Sequence, residues 1–361
     1  MVFITSAFKP IWKKYCSPTT FLPFKLRSFK VVPSKFTPVL NGCLALLLVL
    51  LLNSCMLLPK KPTLRIGMNS WPGYALAQYA QQADFFKQRG LNVELVQFNN
   101  QQDNIRATLR GALDASFVPL WEVLQSDSGD DHPAFLMVAD TSAGSDGIVA
   151  RGGIESVADL RGKKVGVKFG TVTHLVLLEA LKAAAIPPES VKLVDVAHQA
   201  SFSKLKDQSI DAAVVWEPQL SQTAKQINGK VIFTTADVNS LVIDGLATRS
   251  QFAQSHQREF TQFMLAWFDA VHAVETQPEK VFGAIAQQRK QLPESFATSY
   301  AGLRPGDRQM NQAMLVEGRL QTAVTQITQL LKADPRHSRV IRQDMEINAA
   351  PIREAMQTWQ P

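Results

Sequence analysis

The feature that most constrains this chain is an alternation of short apolar strands with helical stretches. It is clearest at residues 162–174, GKKVGVKFGTVTH. The pattern predicts a buried strand over 165–169, a turn at Gly170 and a helix from about 173 to 185. A strand that stops at a glycine and passes into a helix leaves backbone N–H groups pointing out of the helix start. Together with the positive end of the helix dipole they form an acceptor site for an anion. Thr171 and Thr173 add hydroxyls suited to capping, and His174 adds a ring nitrogen. Any β–α turn of an α/β domain has this form, so its meaning depends on the rest of the chain.

The same grammar begins at strand 64–68 (LRIGM), followed by a turn that carries Trp71 and Tyr74 and a helix over 75–89 closed by Gly90. Strand 93–98 ends in Asn99, Asn100, Gln101 and Gln102, and a helix covers 105–109. A strand at 114–118, a short helix at 121–125 and a strand at 135–139 complete a first block. Strands that alternate with helices form a parallel sheet covered on both faces. Ligands bind such sheets beyond the carboxyl ends of the strands, which places Trp71, Tyr74 and Asn100 on a ligand-facing rim.

Residues 140–150, DTSAGSDGIVA, are rich in Gly and Ser between two apolar strands and read as a crossover that contains Asp146. A second block follows, with a helical turn at 156–160, the 162–185 unit, a strand at 191–196, a helix at 201–206 and a strand at 212–215. Trp216 and Glu217 stand at the carboxyl end of that last strand, before Pro218 in the first turn of a helix. Strands at 231–233 and 241–247 come next, the second read as a return crossover with Asp244 inside it. The amphipathic helix 258–275 is expected to pack back on the first block. Residues 278–361 read as helical, broken at Pro293, Pro305 and Pro335, and carry no functional signal.

The start of the chain is different. Before Cys55 it carries Lys9, Lys13, Lys14, Lys25, Arg27, Lys30 and Lys35, with no Asp or Glu. These seven charges equal the net charge of +7 for the whole chain, so the remainder is formally neutral. The basic balance therefore gives no reason to expect a nucleic-acid partner. A basic stretch, an apolar run over 43–52 and Asn53-Ser54-Cys55 read as a signal peptide. That run is shorter than the ~20 residues a membrane span needs. Leu52-Asn53-Ser54-Cys55 resembles a bacterial lipobox, which implies lipidation of Cys55. The body beyond Cys55 has no cysteine, hence no disulfide and no thiol nucleophile.

Seven features stand in one order: the box at Cys55, LRIGMNSWPGY, ADFFKQRGLNVELVQF, RGALDASFV, DTSAGSDGIVA, ADLRGKKVGVKFGTVTH and DAAVVWEP. Together they resemble the solute-binding proteins of nitrate/sulfonate/taurine-type ABC importers, a group that includes binders of thiamine pyrimidine precursors. The resemblance covers residues 64 to about 275. It implies an α/β, two-lobed periplasmic-binding-protein fold of type II, with two crossover strands and a ligand cleft between the lobes. The expected division is a leader at 1–54, a tether at 55–63, one lobe from 64–143 plus 246–361, and a second lobe at 144–245. Resemblance and rim position together select Trp71, Tyr74, Asn100, Asp146, Thr171, Thr173, His174, Trp216 and Glu217 as ligand contacts. Trp71 and Trp216 are the candidates to sandwich a flat or cationic group. Asp146 and Glu217 are the candidates for an amine or an amidine-like edge.

The implied role is delivery of a small organic solute, an aminosulfonate, a pyrimidine or a related nitrogen compound, to an ABC permease and its ATPase. The expected setting is the bacterial cell envelope, with a periplasmic, lipid-anchored monomer that needs no cofactor and no metal. One alternative is a ligand-sensing module that feeds a signalling partner. A remote alternative is a pyrimidine-biosynthetic enzyme on the same fold. The sequence has no G-x-S-x-G, no P-loop, no G-x-G-x-x-G and no paired histidines at zinc spacing.

Overall fold

The computed structural model describes residues 63–127, 131–334 and 341–361, so the leader, the tether up to residue 62 and the expected lipidation site at Cys55 lie outside the described residues. No helix among the described residues is long and apolar enough to cross a membrane.

The first block forms as the alternation requires. Strand β1 (Thr63–Met68) leads to helix α1 (Ala75–Gln82), strand β2 (Asn92–Gln97), helix α2 (Gln101–Leu109), strand β3 (Ala115–Pro119), helix α3 (Leu120–Leu124) and strand β4 (Pro133–Ser142). The helix expected over 75–89 breaks in two, because Asp84 takes a left-handed backbone (φ 60°) between 75–82 and 85–88. All ten residues of β4 are buried, as fits a strand covered on both faces.

The chain leaves this sheet at Ser142 and enters a second one at β5 (Asp146–Ala150). Strand β6 (Lys164–Val167), helix α4 (Val172–Ala183), strand β7 (Lys192–Asp195), strand β8 (Ala212–Trp216), helix α5 (Gln219–Gln226) and strand β9 (Lys230–Thr234) follow. Pro218 precedes α5 as its N-cap instead of occupying its first turn. Strand β10 (Ile243–Arg249) then returns to the larger sheet, where Ile243 already pairs with Thr141. The larger sheet runs β11-β4-β10-β3-β1-β2, with β11 at Leu303–Pro305 and β12 (Glu346–Ile347) beside β4. The smaller runs β7-β6-β8-β5-β9. β1 pairs parallel with β2 and β3, and β6 pairs parallel with β7 and β8. Each sheet therefore turns the carboxyl ends of a parallel trio toward one edge.

Helix α6 (Gln257–Thr276) packs back on the larger sheet as its amphipathic pattern predicts. Phe263 stacks on Phe86 at 4.9 Å, and Trp267 lies 5.6 Å from Phe117, ring centre to ring centre. Phe117 stacks in turn on Tyr74 at 5.1 Å, so the core fixes a rim residue.

The C-terminal region, silent in sequence, braces the crossovers. The carbonyl of Gly302 accepts from Ala143 N (2.8 Å) and Ser145 N (3.3 Å), while Ser145 Oγ donates to Ser299 O (2.6 Å). Thr235 Oγ1 pairs with Ser142 Oγ and accepts from Gly144 N, both at 2.7 Å, which ties one crossover to the other. A Cβ at Gly302 would sit 2.5 Å from Ser145 Oγ and 2.7 Å from Ser145 N, so glycine permits this approach. Gly302→Ala should therefore lower stability by about 1–3 kcal/mol. Urea unfolding measures it, and an unchanged midpoint would contradict the close packing of crossover and C-terminal segment.

Candidate functional site

The carboxyl ends of six strands converge on one cavity. β1 is followed by Asn69, Trp71 and Tyr74, β2 by Asn99, Asn100 and Gln101, and β3 by Glu122 at the end of α3's first turn. From the smaller sheet, β6 is followed by Lys168, Thr171, Val172 and Thr173, and β7 by Ala197, His198 and Gln199, while β8 ends in Trp216. The crossovers add Asp146, Val242 and Asp244. The cavity, partly open to solvent, has a volume of about 90 Å³. That is several water-sized positions, room for a small organic solute.

One wall is aromatic. The His198 ring lies flat on Trp216, 3.4 Å between centres and 4° between planes, and Trp71 meets Trp216 edge-on at 6.5 Å. Burial drives the His198 pKa down to about 3, so its imidazole is neutral, and its Nδ1 has no hydrogen-bond partner among the described residues. Trp71 is held by its neighbours. Its Nε1 donates to Asp140 Oδ1 (3.0 Å) and Oδ2 (3.2 Å), and Arg289 grips the turn through Trp71 O (3.2 Å) and Ser70 O (3.1 Å). A Cβ at Gly73 would stand 1.9 Å from Asp140 Oδ2, so this glycine makes room for the carboxylate.

The floor is acidic. Asp140 and Asp244 face each other across the β4–β10 ladder, where like charges repel. Tyr74 donates its hydroxyl to Asp244 Oδ1, and Gln101 Nε2 reaches the same hydroxyl at 3.4 Å. Asp146 opens β5 and Glu122 hangs from α3; they are 1% and 2% exposed, and each leaves one oxygen, Oδ2 and Oε2, without a hydrogen-bond partner among the described residues. Burial is the main cause that lifts these acids. It takes Glu122 to about 8 against the opposing pull of Val172 N–H, and Asp146 to about 7. Asp140 and Asp244 are raised by burial and then by nearby carboxylates, and Tyr74 by burial and then by Asp244. Among the described residues the lining holds one cation, Lys168, whose Nζ pairs with Asp195 at 2.8 Å.

Of the residues expected from sequence, the structure gathers Trp71, Tyr74, Asn100, Asp146, Thr171, Thr173 and Trp216 around the cavity, and leaves out His174 and Glu217. Glu217 is corrected because its carboxylate turns to the start of α5 and accepts from Ser221 Oγ (2.8 Å) and Ser221 N (3.2 Å). His174 is corrected because its Nε2 lies 2.8 Å from Asp334 Oδ2, in a buried contact beyond the cavity. The threonines do not cap α4. Thr171 Oγ1 donates to Lys168 O (2.8 Å), and Thr173 Oγ1 accepts from Lys168 N (3.0 Å), so both brace the turn. Asn100 caps α2, accepting from Gln102 N at 2.9 Å.

The expected anion site at the start of α4 is also corrected. Glu122 Oε1 accepts from Val172 N at 3.0 Å, so a carboxylate from the larger sheet already occupies the helix start of the smaller one. Sequence reading missed Glu122, Asp244 and His198, which line the cavity, and Asp140, which holds Trp71. Each acid stands alone in an apolar run (PLWEVL, LVIDGL, LMVADT), and that isolation is the signal that marks them.

A model of the NMT1-like family matches residues 58–287, more than half of the chain. The taurine-binding periplasmic protein of Escherichia coli is 27% identical over 194 residues, 52% of this chain and 60% of its own. The chain spans about half the length of the curated relatives it matches. Among solved structures, the alkanesulfonate-binding protein SsuA from Xanthomonas axonopodis pv. citri bound to MOPS superposes with TM-score 0.63 at 15% identity, covering 79% of this chain and 98% of that one. The desulfurization enzyme DSZB gives 0.62 at 13% identity, covering 82% and 99%. The fold is therefore the two-lobed periplasmic-binding-protein type, and its likeness extends to binding proteins and to an enzyme.

Buried acids with raised pKa values are more easily protonated in the folded than in the unfolded chain, where carboxylates titrate near 4. Their contribution is present at low pH and is lost as pH rises through 7–8. The ligand-free protein should thus lose thermal stability between pH 5 and about 8.5, and Asp146→Asn should flatten that decline. Melting curves across this range test it; a rising wild-type profile would contradict the account of the floor.

Proposed function

The chain belongs to the NMT1-like family, and from that premise we propose that it is an extracytoplasmic solute-binding protein that hands one small organic solute to the permease of an ABC importer. The observation that carries this reading is a single small cavity walled by the carboxyl strand ends of both lobes, with Trp71 and Tyr74 on one side and Trp216 and His198 on the other. A solute there touches both lobes at once, so its binding energy favours the closed arrangement. The crossovers at 143–145 and 235–242 are the hinge of this proposal. The taurine-binding relative supports it.

An enzymatic reading finds less support. The hydroxyls of Thr171 and Thr173 are engaged with Lys168 and with each other (3.0 Å), and His198 Nδ1 has no acid or nucleophile as a hydrogen-bond partner among the described residues. The proposal includes attachment to the cell envelope through a lipid on Cys55, action as a monomer, and a permease and ATPase as partners. Release of a Cys55→Ser chain from membranes tests the attachment.

Binding should change the emission of the cavity tryptophans and raise the melting temperature. A ligand at 100 times its dissociation constant adds about 2.7 kcal/mol. Trp216→Ala should weaken binding by at least tenfold while the chain still folds. A screen in which no aminosulfonate, pyrimidine or amine alters emission or melting would contradict the proposal.

A further inference from the structure

The anion-binding element of this fold is already satisfied from within. Val172 N at the start of α4 donates to Glu122 Oε1 at 3.0 Å. A sulfonate or carboxylate on the solute would have to displace that acid and then lie among Glu122, Asp146 and Asp244. Among the described residues the one cation of the lining, Lys168, is already paired with Asp195 at 2.8 Å. No other side chain of the described lining carries a full positive charge to balance an anion.

The unmet demand has the opposite sign. Glu122 Oε2 and Asp146 Oδ2 are buried acceptors without partners among the described residues, and both side chains line the cavity. His198 Nδ1 is a third buried polar atom of the lining without one among the described residues. An orphan carboxylate oxygen is costly in a closed site and is relieved by an N–H donor, most of all a charged one. The Trp216–His198 stack offers a flat π-face to a cation or a delocalised plane. Among the described residues no three His, Cys, Asp or Glu side chains are placed to hold a metal ion.

We infer that the solute is a small nitrogenous cation, an alkylammonium or amidinium with no acidic group, held by Glu122, Asp146 and Asp244 against Trp216. This rests on the reading that the cleft takes a solute, and it narrows that reading away from aminosulfonates. Raised carboxyl pKa values in the empty site agree with it, since a bound cation displaces protons that the acids otherwise hold.

The test compares 1,4-diaminobutane, acetamidine, taurine and ethanesulfonate on the purified protein at pH 7.5, with sodium chloride at matched ionic strength, by thermal shift and tryptophan emission. The cations should raise the melting temperature and change emission; taurine and ethanesulfonate should do neither. Glu122→Gln keeps an acceptor for Val172 N and should weaken cation binding about ten- to a hundredfold, as should Asp146→Asn. Circular dichroism confirms that both variants fold. A response to taurine or ethanesulfonate alone overturns the cation class and leaves the solute-binding reading standing. Silence from both cations, or cation affinity unchanged in both variants, also overturns it.

Discussion

The hydrogen bond from Val172 N to Glu122 Oε1 joins the two lobes across the buried cleft. It places an acid from one lobe on the helix start of the other, and it does so where burial makes charge expensive. Much of the site follows from it. The N–H of Val172 is satisfied internally, Glu122 is held with its second oxygen without a partner among the described residues, and the acids of the two crossovers share the same low-polarity space. Neighbouring contacts cross the cleft as well: Gln102 Nε2 donates to Gly170 O at 3.1 Å, and Trp71 meets Trp216.

The scaffold concentrates acids because the crossovers run through it. Asp140 lies near the end of β4, Asp146 at the start of β5 and Asp244 near the start of β10, all beside the points where the chain changes sheet. Buried acids at a hinge are costly to ionise in the free protein, and a bound cation offsets that cost. A fold shared by binding proteins and an enzyme acquires its chemistry from such side chains, not from its topology.

Sequence made the scaffold legible because strand and helix periods are local properties. The runs of β1, β3, β6 and β8 and the helix α6 can each be read without their neighbours. Trp71, Asp146 and Trp216 were legible for a similar reason: a residue at a parallel strand's carboxyl end, or at a crossover, has its place fixed by topology. Glu217 and His174 were misplaced because their partners, Ser221 and Asp334, are set by side-chain direction and by a distant helix end. Glu122 was missed because its partner lies 50 residues away on the other lobe. Gly302 and the crossover bracing were invisible for the same reason, as they depend on backbone approach between remote segments.

The central claim is that carboxyl groups in the cleft hold protons when empty and release them to a cationic solute. Calorimetry of 1,4-diaminobutane binding at pH 7, repeated in two buffers of different ionisation enthalpy, counts those protons directly. The account predicts net proton release into the buffer on binding, reduced in Asp146→Asn. Binding with no proton exchange, or with net uptake, would contradict it.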